Sequence, residues 1–147
     1  MEVFEDDIWI SSFPKCGTTW TQEMVWNIVH DLDFQTAKSS KLDRRIPFLE
    51  LSAITEASHF DNFTVEERAE NENVVNSVEF CQNLTTRPRI LKTHLDFEML
   101  PKQLREKKPK VIYVTRNPRD AVVSYYNHWR VLDGFTGCHN ISISQSI

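Results

Sequence analysis

The sequence predicts an α/β fold of three layers, built on a parallel, doubly wound sheet. Two features carry that prediction. Apolar runs at residues 8–13, 89–93 and 111–115 are each followed by a helical pattern, and alternating strands and helices imply parallel pairing. The chemically loaded stretches, residues 13–20, 92–95 and 116–124, all fall just past those runs, where such sheets bind their ligands.

The first unit is a strand over residues 8–13 and a helix from residue 18 to about 32. Trp20, Met24, Val25, Ile28, Val29 and Leu32 fall on one face of that helix. Phe13-Pro14-Lys15-Cys16-Gly17-Thr18-Thr19-Trp20 joins the two, with a glycine at the turn and a lysine just before it. Such a turn aims backbone N–H groups and the positive end of a helix at one point, an anion cradle suited to phosphate or sulfate. The P-loop of ATPases uses the same physics with its lysine after the second glycine of GxxxxGK[ST]; here Lys15 precedes Gly17. The cradle is P-loop-like with a different spelling.

The middle of the chain, residues 35–76, is polar and weakly periodic apart from Arg45-Ile46-Pro47-Phe48-Leu49-Glu50-Leu51, and reads as loops and short helices. A further helix is expected near residues 76–84. The second unit is a strand near residues 89–93 with a helix around 97–106, Pro101 lying in its first turn or breaking it. The third is a strand over residues 111–115 and a helix from Pro118. Asn117 suits its N-cap, Pro118 its first position and Asp120 its first turn.

A chain of 147 residues predicts one domain with a real core, and 40% hydrophobic and 11% aromatic residues argue against disorder. The net charge of −4 offers no basic surface to a nucleic acid, so an anionic ligand is met by local positive groups. No stretch approaches the roughly 20 apolar residues of a membrane helix. The acidic N-terminus lacks the layout of a signal peptide. Cys16, Cys81 and Cys138 are widely spaced and odd in number, as reduced thiols of a cytoplasmic protein are. The sequons beginning at Asn62, Asn83 and Asn140 are chance occurrences in that setting.

Three ordered motifs then point further. The loop Phe13–Trp20, the strand end Lys92-Thr93-His94-Leu95 and the block Arg116-Asn117-Pro118-Arg119-Asp120-Ala121-Val122-Val123-Ser124-Tyr125-Tyr126 together resemble the cytosolic sulfotransferases. That resemblance implies a co-substrate, 3′-phosphoadenosine 5′-phosphosulfate (PAPS), whose sulfuryl group passes to a hydroxyl or amine of a small acceptor. It implies that Lys15, Cys16, Gly17, Thr18, Thr19 and Trp20 hold the phosphosulfate end, and that Arg116 and Ser124 hold the 3′-phosphate. A guanidinium grips phosphate in bidentate fashion, and the hydroxyl adds a donor.

Sulfuryl transfer needs a base, positive charge at the leaving phosphate and in-line alignment. His94 is the natural base, against the plainer reading of a histidine capping a strand end. Lys15 stabilises the departing charge. Lys92 assists at the sulfuryl group, with an exposed strand lysine as the rival reading. Trp20 resembles the family tryptophan that stacks on adenine, though a tryptophan at an apolar helix position is also often core. Cys16 stands where many relatives have serine, and its N–H serves equally well. The family usually follows Lys-Thr-His-Leu with proline; here Asp96 stands there, a carboxylate expected to raise the His94 pKa and loosen the loop. No metal is expected: Val111–Thr115 is followed by Arg116, which suits phosphate and repels the Mg²⁺ that a P-loop kinase would need.

The family's Arg-Lys-Gly and Gly-Asp-Trp-Lys segments and its dimerisation segment have no counterpart, and residues 138–147 do not look like the family. The expectation is therefore a single, incomplete sulfotransferase domain with an atypical tail, monomeric, with a catalytically impaired fragment or interaction module as the alternative. Phe48, Phe60 and Phe63 either line an apolar pocket for a phenol or hydrophobic alcohol or are ordinary core.

Overall fold

The computed structural model describes residues 1–55 and 57–136. The chain divides into two compact units, Met1–Thr115 and the part from Arg116 onward.

In the first unit, β1 (Ile8–Ser12), β2 (Ile90–Thr93) and β3 (Lys110–Val114) form a parallel sheet in the order β2-β1-β3. The register is level, with Ser11 opposite both Thr93 and Tyr113. All three strands therefore finish at one edge. The chain leaves β1 for one neighbour and crosses back to the other, so the switch point of the sheet lies at the end of β1.

Strand side chains alternate between two cores, as a period of two requires. Ile8, Ile10 and Ile90 pack with Val25 and Trp26 of α1 (Thr18–Val29) and with Ile46. Trp9 and Leu91 face the opposite way, packing with Val3, Leu49, Cys81, Leu100 and Leu104. Two cores on two faces of one sheet make the predicted three layers. Burial pushes the Cys81 thiol up to about 12, so it serves as a protonated packing group.

The crossover from α1 to β2 is a run of short helices: α2 (Phe34–Ser39), α3 (Leu42–Arg45), α4 (Leu51–Ile54), α5 (Val65–Glu70), α6 (Glu72–Val75) and α7 (Ser77–Asn83). Arg45 closes α3 onto α1, its Nη2 donating to both carboxylate oxygens of Glu23 at 2.9 and 3.0 Å, and lies over the Trp26 ring. Pro101 does break the helix expected around residues 97–106. A 3-10 turn, Phe97–Met99, precedes it, and α8 (Gln103–Lys107) follows. At the other end of the sheet, buried Asp7 and Arg89 meet at 2.6 and 2.8 Å, and Arg89 also donates to the main-chain oxygens of Glu2 and Cys81.

The buried stripe of α1 differs from the sequence expectation. Thr18, Gln22, Val25 and Trp26 are buried, whereas Trp20, Met24, Ile28 and Leu32 are exposed, Trp20 by 78%. Gln22 enters the core because its amide donates to the Ile46 carbonyl at 3.3 Å, which satisfies a polar group among apolar ones. The helix also stops at Val29, because Asp31 and Leu32 take left-handed backbone angles.

In the second unit, α9 (Pro118–Thr136) opens as expected: Asn117 Oδ1 accepts from Arg119 N–H at 3.0 Å, and the Asn117 carbonyl accepts from Ala121 N–H. The tail, residues 138–147, lies outside the described residues. Among the described residues, no helix is long and apolar enough to cross a membrane.

Candidate active site

The loop after β1 reverses the chain from strand to helix within five residues. Two left-handed residues do this, Lys15 with φ 67° and Gly17 with φ 101°. Gly17 is the N-cap of α1 and lends no side-chain cap, so the first-turn N–H groups of Thr18, Thr19 and Trp20 are left for another acceptor. A Cβ placed on Gly17 meets no atom within 4 Å, so the space over the turn is open. Lys15, Gly17, Thr19 and Trp20 are exposed, Cys16 is half-buried and Thr18 is buried. This is the geometry of an anion cradle.

Across the sheet edge stands His94, the residue after β2. Its Nδ1 lies 2.8 Å from the Ser12 carbonyl oxygen, which can only accept. The proton therefore sits on Nδ1, and Nε2 carries the lone pair. Ser12 Oγ lies 3.2 Å from the same nitrogen and shares a 2.6 Å hydrogen bond with Thr18 Oγ1. One serine thus joins the imidazole to the first helical residue of the cradle.

Burial lowers the His94 pKa below its ordinary value, the Ser12 hydrogen bond opposes this, and the Lys92 charge lowers it further. Asp96 does not act as expected. It is exposed, it does not raise the imidazole, and its carbonyl starts the 3-10 turn by accepting from Met99 N–H. Lys92 is half-buried rather than an exposed strand lysine. Its Nζ lies 4.0 Å from the centre of the Phe48 ring, and burial lowers its pKa against the opposing charge of Glu50. Phe48 also packs edge-on to His94, ring centres 5.1 Å apart. Phe60 and Phe63 instead pack on each other and on His59.

Ser12 and Glu50 make contacts with His94 that motif reading passed over. Ser12 is an ordinary strand residue in sequence. Glu50 had one signal: a carboxylate set within an apolar run inside an otherwise polar region. Arg116 and Ser124 belong to the second unit. Arg116 is exposed just ahead of the Asn117 cap, and half-buried Ser124 lies one turn beyond Asp120 on α9.

Residues 5–141 match the family model described as "Sulfotransferase domain". The chain belongs to the sulfotransferase family. It is 42% identical over 136 residues to the luciferin sulfotransferase of Photinus pyralis, a match covering 91% of this chain and 36% of that protein. Sulfotransferase 1E1 of Homo sapiens is 36% identical over 129 residues, covering 88% of this chain and 37% of its own. The crystal structure of retinol dehydratase in a complex with retinol and PAP superposes with a TM-score of 0.72 at 29% identity, over 88% of this chain and 41% of that one. This sulfotransferase domain therefore spans little more than a third of the length of the curated relatives it matches.

Proposed function

We propose that this chain carries the donor cradle and the general base of a PAPS-dependent sulfotransferase. The carrying observation is the join between His94 and the cradle: Nδ1 on the Ser12 carbonyl, Ser12 Oγ on Thr18, Nε2 left as the open lone pair. PAPS supplies an activated sulfuryl group. The acceptor oxygen or nitrogen forms a bond to sulfur as the bond from sulfur to the bridging phosphate oxygen breaks. The acceptor proton passes to His94 Nε2, the charge left on the phosphate is met by Lys15 and the first-turn N–H groups of α1, and Lys92 assists at the sulfuryl group.

Arg116 and Ser124 take the 3′-phosphate in this reading, Cys16 and Thr19 serve the cradle through main-chain N–H groups, and exposed Trp20 is available to stack on adenine. The acceptor is a small phenol, hydrophobic alcohol or amine. The retinol dehydratase complex, which holds retinol, an apolar alcohol, together with PAP, supports that class. We assign the protein to the cytoplasm, with residues 1–147 as a single, incomplete sulfotransferase domain.

The test is binding of the product nucleotide, adenosine 3′,5′-bisphosphate, to the purified chain by calorimetry. It should bind better than ADP, and Arg116→Ala should erase most of the preference. Equal affinities would overturn the assignment. Binding of neither would leave an interaction module.

A further inference from the structure

Residues 46–50 lie beside β2 on the side away from β1. Lys92 N–H donates to the Pro47 carbonyl at 3.0 Å, Leu49 N–H donates to the Lys92 carbonyl at 2.9 Å, and Phe48 bridges Lys92 in parallel fashion. Glu50 then turns its carboxylate back onto the strand end. Oε2 accepts from Thr93 Oγ1 at 2.9 Å, and Oε1 accepts from His94 N–H at 2.5 Å. Thr93 Oγ1 in turn accepts from Leu95 N–H at 3.1 Å.

Glu50 is only 7% exposed, and a carboxylate at that depth is costly unless it is held. Two hydrogen bonds and the Lys92 charge hold this one. The His94 ring is oriented by Ser12, but that contact has a fixed length only if the His94 main chain is also fixed. Glu50 grips that main chain.

We infer that Glu50 is the positioning residue of the base: its carboxylate clamps the His94 backbone so that the imidazole keeps its Nδ1 proton on Ser12 and presents Nε2 to the acceptor. The same charge favours the Lys92 ammonium. Burial raises the Glu50 carboxyl above its ordinary value, so the clamp takes up its proton at a higher pH than an exposed glutamate would. The groups that face it electrostatically are Lys92 and the buried Cys81 thiol, while His94 meets it through the main-chain N–H.

This inference rests on the proposed sulfotransferase reading only for its turnover arm; the structural arm needs no activity. In the ¹⁵N- and ¹³C-labelled chain, NMR should show the neutral Nδ1–H tautomer of His94 and a downfield His94 amide proton. Both signals should shift with the midpoint of the Glu50 carboxyl carbon. Glu50→Gln should move the amide upfield, mix the tautomers and let Lys92 lose its proton at lower pH. His94 signals that ignore Glu50 protonation in the unmutated chain would overturn the inference, and that measurement stands even where the variant fails to fold.

Glu50→Gln should leave adenosine 3′,5′-bisphosphate affinity nearly unchanged while lowering kcat by about 10²-fold at constant donor KM, the scale of a misplaced reacting group. A rise in donor KM at constant kcat would also overturn it. Loss of nucleotide binding by the unmutated chain would instead defeat the proposed function and leave the NMR result to decide Glu50.

Discussion

His94 Nδ1 and the Ser12 carbonyl oxygen, 2.8 Å apart, tie the residue after β2 to the last residue of β1. The two lie 82 residues apart in the chain, and the level register of the parallel strands brings them together. A neutral imidazole has one donor and one acceptor nitrogen. A carbonyl at Nδ1 uses the donor, so the tautomer that can accept a proton at Nε2 is set by the sheet rather than by a neighbouring acid.

Removal of that base should act on turnover and not on binding. His94→Ala, in an active form of the domain, is expected to lower PAPS-dependent transfer by about 10²–10⁴-fold. Adenosine 3′,5′-bisphosphate affinity should stay nearly intact. A variant with normal turnover would remove His94 from the mechanism.

The pH profile follows from burial. His94 titrates below its ordinary 6.5, so transfer should rise with pH through a midpoint below 6.5. A limb centred above 6.5 would mean that Asp96 governs the ring after all. Stability has the same sign here: between the folded value and 6.5 the unfolded chain binds more protons, so the His94 contribution is full above 6.5 and is lost as pH falls. Glu50 runs the other way. Raised above 4.5, its contribution is full below 4.5 and is lost as pH rises through the folded value. Chemical denaturation across both windows, with His94→Gln and Glu50→Gln each removing one slope, checks the signs.

A side chain at Gly17 is expected to strain the turn. Its φ of 101° is left-handed, and although a Cβ would meet open space, Gly17→Ala should cost about 1–2 kcal/mol from backbone strain alone. Urea unfolding reads that cost. The same methyl would stand in the open space over the turn, so the variant should also lose nucleotide affinity.

Asp7→Ala should be the most damaging of these changes to the fold. It strands a fully buried guanidinium, for which about 3–5 kcal/mol is the usual penalty. Replacing both Asp7 and Arg89 by apolar residues should recover much of the loss in thermal unfolding. A small effect of Asp7→Ala alone would show that Arg89 is sustained by the Glu2 and Cys81 carbonyls and by the Phe4 ring it covers.

Transfer should not depend on a divalent metal. Lys15, Lys92 and Arg116 supply the positive charge that Mg²⁺ gives a kinase, so EDTA should leave PAPS-dependent turnover unchanged. A loss restored by Mg²⁺ would refute this.

The strand–turn–helix units and the left-handed turn before α1 were legible in the amino-acid sequence because they depend on local chemistry. Apolar periodicity marks β1, α1 and β3, Gly17 marks the left-handed turn, Asn117-Pro118 marks the start of α9, and His94 stands out beside Lys92 at a strand end. Tertiary structure alone decided which stripe of α1 is buried, because Gln22 enters the core only where the Ile46 carbonyl waits to receive its amide. It alone brought Glu50 onto a strand end 44 residues away and Asp7 onto Arg89. It also set the direction of the His94 pKa, since burial and the Lys92 charge act through space and leave no trace in residue order.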